Sequence, residues 1–505
     1  MALTDPASSA LLTDLYELTM ALGYWREGRT EQEAAFHLYF RTAPFRGGYT
    51  IACGIEPALA YLEGLRFTDE ALGYLATLRG VDELPLFPRE FLDALGSVRL
   101  TLDLDMVPEG TVVFPNEPLV RVRGPLLQAQ LVETALLTHI GFPTLVATKA
   151  ARMCLAANGG EVLEFGLRRA QGPDGGLSAS RAAYVGGCSS TSNVLAGQRF
   201  GIPVKGTHAH SWVTVFDDEI EAFKAYADAM PNNVVFLVDT YDTIDGVRHA
   251  IEVGRMLQAR GHRLLGVRLD SGDLAYLSIE TRRLLDAAGF TDTAILATND
   301  LDEHLIESLR QQGAAITVWG VGTHLATAYD QPALGAVYKL TAIRDATGEW
   351  TPRLKVSEQA AKTTNPGLLQ VRRYLETRPR ASRGEYAGDM LIDELTPPNG
   401  DATMVDPFDL TRRKRFAADA PYTLLLQPAM RGGKRVREPE PLSAARDRVQ
   451  KELAGFHAGI KRLVNPHRYP VGLERGLHDR KTALVLAARG EATGTEPARG
   501  MRDEG

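Results

Sequence analysis

Apolar and polar positions alternate along the middle of the chain in one repeated rhythm. A short apolar run ends in charged residues or glycine, and a helical pattern follows it. Six such units run from residue 161 to residue 323. EVLEFGLRRAQG precedes SASRAAYVGGCSSTSNVLAGQRFG, and IPVKGTHAH precedes DDEIEAFKAYADAM. NVVFLVDTYD precedes GVRHAIEVGRMLQARG, and RLLGVRLDSGD precedes AYLSIETRRLLDAAG. AILATND precedes LDEHLIESLRQQG, and AAITVWGVGT closes the series. Near-continuous apolar strands between amphipathic helices predict parallel strands buried on both faces. Such units build either a barrel or a doubly wound sheet.

The flanks follow other patterns. Within residues 1–135, AAFHLYFRTAPFRGGYTIACGIEPALAYLEGL reads as strand, turn, strand and helix. VRLTLDLDMVPEGTVVFPNEPLVRVRGPL reads as strands broken by Pro-Glu-Gly and Pro-Asn-Glu-Pro turns. LLQAQLVETALLTHIGF is a predicted helix leading into residues 136–355, which hold the repeated units. Residues 356–440 carry shorter runs, PGLLQVRRYLE, AGDMLIDE and YTLLLQPAM, predicted as small strands returning to the N-terminal part. Residues 441–505 read as a helical extension with a small, polar, disordered tail.

The ends of the six apolar runs carry the candidate chemistry. They read Arg168-Arg169, Thr207-His208-Ala209-His210, Asp239-Thr240-Tyr241-Asp242, Arg268-Leu269-Asp270-Ser271-Gly272-Asp273, Asn299-Asp300 and Gly320-Val321-Gly322-Thr323. Parallel α/β barrels place their active sites at these strand ends. One Asp or Asn there is ordinarily a helix cap, but six tips with complementary chemistry exceed what capping explains.

His208 and His210 stand two apart, on one side of an extended chain. A His-x-His metal site needs further ligands on later strands. His249, His262 and His304 fall in predicted helices or turns, and His324 alone lies at a later tip. A metallohydrolase therefore lacks partners. An anion site fits better. Arg168, Arg169 and Arg268 can fork onto carboxylate or phosphate. Gly320, Gly322 and Thr323 form a glycine turn able to cradle phosphate. Asp239, Asp242, Asp270 and Asp273 offer oxygens to Mg²⁺ or ribose hydroxyls. Together these describe a site for a phosphorylated sugar with Mg²⁺. No GxxxxGK[ST] loop supports a P-loop ATPase.

Composition narrows the partners. A net charge of −7 argues against a nucleic-acid binder, and 44% hydrophobic with 24% charged residues is ordinary for a globular chain. With no basic leader and no apolar run of about 18 residues, the expectation is a cytoplasmic protein that does not engage membranes. Cys53, Cys154 and Cys188 are far apart and read as free thiols.

LLTDLYELTMALGYW, FRTAPFRGGYTIACGIE, EFGLRRAQ, GTHAHSWV, VRLDSGDL, WGVGT and LGAVYKL resemble, in order, the motifs of nicotinate phosphoribosyltransferase, from residue 11 to about 375. The resemblance implies an irregular, TIM-like α/β barrel with a flanking α/β domain from the N-terminal region and a returning C-terminal segment. It implies condensation of nicotinate with 5-phosphoribosyl-1-pyrophosphate (PRPP), coupled to ATP through a phosphohistidine at His210. Asp239 and Asp270 would hold ribose and Mg²⁺. Phe165 would stack under the pyridine ring, and Tyr16 of the partner subunit would close over it in a head-to-tail homodimer. Thr207 and Arg268 would bind nicotinate, with Arg268 on its carboxylate. Arg168 would lie near base and phosphates, and Gly320, Gly322 and Thr323 would take the 5′-phosphate. Lys339 and Lys355 are weaker candidates, and His208 departs from the small or apolar residue expected before Ala209. A nicotinamide-specific sister enzyme would carry an acid near Ser192, which STSNVLAG lacks. A catalytically silent sensor of PRPP or NAD precursors is the remaining alternative.

Overall fold

The computed structural model describes residues 10–359, 362–376 and 385–490; the tail from residue 491, read above as disordered, lies outside them. The fold is mixed α/β. Its centre is a six-stranded sheet in the order Ser190–Thr191, Glu161–Glu164, Val318–Val321, Ala294–Ala297, Leu264–Leu269, Val234–Leu237. Every neighbouring pair is parallel. The helices Thr243–Ala259, Leu274–Ala287 and Glu303–Gln311 follow three of these strands. Each starts at an aspartate, Asp242, Asp273 and Asp302, whose side chain accepts a backbone N–H of the first turn. Asp242 and Asp273, offered above as ligand oxygens, are thus helix caps.

Two local readings change. The apolar run IPVKG forms no extended strand and makes one parallel bridge, Thr191 to Val204. Pro203 has no N–H to give a ladder. The predicted single helix after Ala170 is two helices, Gly172–Gly186 and Val194–Phe200, with the strand Ser190–Thr191 between them. Gly187 ends the first with φ of 123°, a backbone region that glycine alone enters cheaply.

The parallel sheet is curled. The chain beyond Val204 lies against the opposite edge strand, where His208 Nε2 accepts the N–H of Leu237 at 3.1 Å. A side chain thus supplies, across this seam, a bond that a ladder would otherwise make.

Two further sheets flank the centre. One is antiparallel, in the order Trp350–Pro352, Ala336–Arg344, Glu33–Phe40, Val120–Pro125, Asp103–Met106, Gln427–Arg431, Lys434–Arg435. Ala336–Arg344 and Trp350–Pro352, grouped above with the repeated units, pair into this sheet. The other mixes parallel and antiparallel pairs in the order Arg413–Phe416, Ala402–Val405, Val471–Glu474, Tyr386–Asp393, Leu369–Leu375, Tyr422–Leu424. Of the returning C-terminal strands, Gln427–Arg431 and Lys434–Arg435 join the N-terminal sheet, and the rest build this separate one. His37, fully buried, ties the two together: Nδ1 meets Thr341 Oγ1 at 2.8 Å and Nε2 accepts the Leu369 N–H at 3.2 Å. Burial, aided by the nearby Arg121 charge, pushes its pKa down to about 3.

The helix Glu133–Ala157 joins the central sheet to the antiparallel one. Thr144 and Thr148 accept the N–H groups of Cys53 and Ile51 at 3.1 and 2.9 Å. Lys149 and Arg152 reach Glu303, on a helix of the central sheet, at 2.7 Å each, and Lys149 also meets Asp330 at 2.5 Å. By length and hydropathy Leu126–Ala157 would suffice to span a membrane, but its most apolar window is 61% buried inside the protein. It is a core helix.

Candidate functional site

The C-terminal ends of the central strands converge on Arg268. This arginine leaves the Leu264–Leu269 strand with its side chain 14% exposed. Its Nε donates to Thr298 Oγ1 at 3.0 Å and its guanidinium nitrogens to Thr207 Oγ1 at 2.9 Å and Asp270 Oδ1 at 3.0 Å. Three tips thereby fix one planar fork, which limits the freedom lost when an anion arrives.

Asp270 lies at the centre of this network. The Thr298 hydroxyl and Arg268 both engage its Oδ1, and His210 Nε2 stands 3.6 Å from Oδ2. Burial alone would raise its pKa, but the Thr298 hydroxyl, Arg268 and His210 outweigh that and hold the carboxyl below its usual range. Asp239 is placed differently. Its Oδ2 accepts the N–H of Asp270 at 2.8 Å and the Ser271 hydroxyl at 2.7 Å. Its Oδ1 is buried with no partner among the described residues. Buried carboxylate oxygens are ordinarily paired, so this one fits a group that arrives with the substrate.

The two histidines divide cleanly. His208 is 7% exposed, with Tyr226 edge-on to its ring at 4.8 Å. Because Nε2 accepts from Leu237, the proton sits on Nδ1, which faces the Ala209 carbonyl at 3.3 Å. Burial, then the charges of Arg268 and His210, lower its pKa and keep it neutral. His210 opens the short helix His210–Val213 with its side chain 42% exposed. Its Nδ1 meets Thr240 Oγ1 at 3.1 Å, which orients the ring and turns Nε2 toward Asp270 on the open face.

Phe165 follows the Glu161–Glu164 strand, its N–H bonded to the Val321 carbonyl at 2.7 Å. Gly320 lies inside the strand Val318–Val321 rather than in the turn after it. A Cβ there would come within 3.0 Å of the Phe165 ring and 2.6 Å of Thr298 Cγ2, so this glycine makes room for the ring. Gly322 and Thr323 form the turn. Arg168 is exposed in the short helix Leu167–Arg169 and makes no ion pair among the described residues.

Tyr16 and Lys339 stand apart from these tips. Tyr16 is 46% exposed on the helix Leu15–Arg26, and burial with the nearby Glu133 and Glu17 pushes its hydroxyl up to about 12. Lys339, on Ala336–Arg344, has Glu133, Arg41 and Lys355 as its charged neighbours. Leu12, Leu15 and Met20 are exposed beside Tyr16.

Some contributors escaped the sequence reading. Glu164 is buried and accepts from Ser180 at 2.8 Å, Thr191 at 2.6 Å and the Gly166 N–H, which braces the Phe165 turn. Its signal was an acid closing an otherwise apolar run. Thr298 braces both Arg268 and Asp270. Asn299 and Asp300, one of the tips already singled out by sequence, hold φ of 91° and 42° in succession, backbone strain of the kind that gathers at ligand sites.

Comparison with known proteins places this arrangement. Residues 11–141 match the nicotinate phosphoribosyltransferase (NAPRTase) N-terminal domain, 161–366 the NAPRTase family and 377–481 its C-terminal domain. The last match covers a stretch in which the sequence reading found no motif. Bacillus subtilis nicotinate phosphoribosyltransferase is 44% identical over 482 residues, covering 95% of each chain. The Homo sapiens enzyme of that name is 37% identical over 529 residues, covering 93% of this chain and 96% of its own. The crystal structure of human nicotinic acid phosphoribosyltransferase superposes with a TM-score of 0.80 at 33% identity, over 94% of this chain and 99% of that one. The chain belongs to the nicotinate phosphoribosyltransferase family.

Proposed function

We propose that this protein joins nicotinate to PRPP, forming nicotinate mononucleotide and pyrophosphate, the entry of nicotinate into NAD salvage. The observation that carries the reading is the chain of contacts Thr207–Arg268–Asp270–His210 beside the unpartnered Asp239 oxygen. The curled parallel sheet is the irregular barrel that presents these groups, and the setting is cytoplasmic.

In the reaction the C1–O bond to pyrophosphate breaks and the pyridine nitrogen supplies the pair for the new C1–N bond. Positive charge develops on the sugar and negative charge on the leaving group. Fixed charges aimed at those positions are the largest catalytic contribution. Asp239 and Asp270 face the sugar, Arg168, Gly322 and Thr323 lie toward the phosphates, and Gly320 makes room for the Phe165 ring. Arg268 retains unengaged N–H capacity for the nicotinate carboxylate, with Thr207 beside it and Phe165 beneath the ring. The pyridine nitrogen needs no general base, so the site is built to position rather than to deprotonate.

Mg²⁺ fits as a substrate-borne ion. Among the described residues no cluster of three or more His, Cys, Asp or Glu side chains is arranged to hold a metal. One free oxygen on Asp239, with Asp270 next to it, matches a cation that takes its other ligands from phosphates and water. Such an ion would neutralise charge on the leaving pyrophosphate.

His210 Nε2 accepts the terminal phosphoryl group of ATP, releasing ADP, and water later removes the group as phosphate. Tyr16 of the partner subunit reaches the ring in a homodimer. The exposed Leu12, Leu15, Tyr16 and Met20 supply an apolar surface for that contact.

The test is a product assay with PRPP, Mg²⁺ and either nicotinate or nicotinamide, with and without ATP. Nicotinate mononucleotide formed from nicotinate, faster with ATP, is the expected result. Product from nicotinamide instead moves the chain to the sister enzyme, and product from neither base leaves a silent sensor.

A further inference from the structure

A cavity of about 480 Å³ opens between the antiparallel sheet and the C-terminal sheet, and none of the strand-tip residues lines it. Its cationic lining comes from Arg41, Arg468 and Lys481, and no Asp or Glu side chain lines it. Lys481 stands on the helix Arg475–Ala488, where its ammonium donates to Asn365 Oδ1 at 2.8 Å and makes no ion pair among the described residues. Burial pushes its pKa down to about 8, with no neighbouring carboxylate to offset the lost hydration. Arg41 Nε is buried without a hydrogen-bond partner, while the guanidinium sits 5.8 Å from the Tyr39 ring centre. Arg468 is drawn elsewhere, to Asp406 at 3.3 Å, and its side chain is 58% exposed.

Among the described residues neither Arg41 nor Lys481 has a carboxylate partner, and an anion in this space would supply the missing counter-charge. The volume lies in the range that holds a small organic ligand. Phosphate suits these donors: a point-charge ammonium and a forked guanidinium both bind its oxygens. We propose that this cavity binds a phosphate-bearing small molecule, held by Lys481 and Arg41. Its source is either a free phosphate ester or the phosphate end of a substrate. As a free-ester site it stands independently of the reaction above, and as a substrate subsite it rests on that reading.

The experiment uses the full chain and three probes: inorganic phosphate, pyrophosphate and ATP, followed by calorimetry and thermal melting. Pyrophosphate should raise the melting temperature of the wild type. Lys481→Met should fold at least as stably without ligand, since it removes a buried charge, and should bind pyrophosphate at this site at least about tenfold more weakly, about 1.4 kcal/mol. Lys481→Arg should retain binding. Arg41→Gln should weaken it in the same sense, and carries the test if Lys481→Met does not fold. Anion binding at the strand tips is common to all these proteins, so the difference between them reports the cavity. A PRPP KM left unchanged by Lys481→Met assigns the site to a free phosphate ester. A KM raised about tenfold or more assigns it to the substrate's phosphate end. Equal pyrophosphate affinity in the wild type, Lys481→Met and Arg41→Gln overturns the proposal.

Discussion

Two regions of this protein gather opposite charges, and they do so in opposite ways. At the joint between the core helix and the central sheet, Lys149, Arg152 and Glu303 are at most 2% exposed and face one another directly. The nearby Phe45 ring lies 5.0 Å from the Lys149 ammonium. At the strand tips, Arg268, Asp270 and His210 are between 14% and 42% exposed, and a neighbouring carboxylate keeps an oxygen without a partner. The first set is finished and holds two parts of the fold together. The second is incomplete until something binds. Charge pairing alone does not mark a site; pairing left unfinished toward an opening does.

The sharpest way to break this contrast is His210→Ala. It should abolish both ATP stimulation and acid-labile phosphoryl labelling, while slow ATP-independent synthesis continues. Labelling that survives the change would remove His210 from the phosphoryl step. Glu303→Gln should cost about 3–5 kcal/mol of stability, because it leaves two buried cations short of a counter-charge; denaturant melts measure this. The KM for nicotinate should not move in that variant, and a large KM effect would erase the distinction between the two regions. Arg268→Ala should do the reverse. Its nicotinate KM should rise by about 2–5 kcal/mol, roughly 30-fold to a few thousand-fold, with stability changed far less.

His208→Ala tests the seam between the two kinds of region. It strands the buried Leu237 N–H, a cost of about 1–3 kcal/mol. It also loosens Thr207 and His210, so kcat/KM should fall further than the stability loss explains. Normal kinetics in a destabilised variant would make His208 purely structural. The smallest effect is a pH slope. Folded His37 stays neutral down to about pH 3, whereas an unfolded histidine takes a proton near 6.5. The unfolded chain therefore binds the extra proton between these values, and stability falls as pH drops through that window. The slope is at most about 1.4 kcal/mol per pH unit for this group. His37→Gln should flatten it.

Much of this was legible beforehand, for identifiable reasons. The parallel strands announced themselves because burial on both faces forces continuous apolar runs, and the tips stood out because charge follows each run abruptly. The strand at Val204 was over-read, since its apolar pattern is sound but Pro203 withholds a donor. The helix caps Asp242 and Asp273 could not be told by type from Asp239 and Asp270, which join the Arg268–His210 network, because both settings use the same carboxylate. Only the position of the following helix separates them. Glu164 and Thr298 were missed because most of their partners come from other elements, which spacing along one strand does not reveal. Gly320 looked like part of a phosphate turn, and its proximity to the Phe165 ring is visible only in three dimensions.

The strand order also sets a timetable. All six strands of the central sheet come from one uninterrupted stretch, Glu161 to Val321. The antiparallel sheet places Asp103–Met106 next to Gln427–Arg431, and Glu33–Phe40 next to Ala336–Arg344. A chain emerging from the ribosome can complete the first while the N-terminal strands still wait for their outer partners about 300 residues away. Closing loops of that length is slow and leaves strand edges open to wrong partners. The vulnerable species during synthesis is therefore a finished parallel sheet attached to an unfinished flank, and the late strands Gln427–Arg431 and Lys434–Arg435 are the ones that end its exposure.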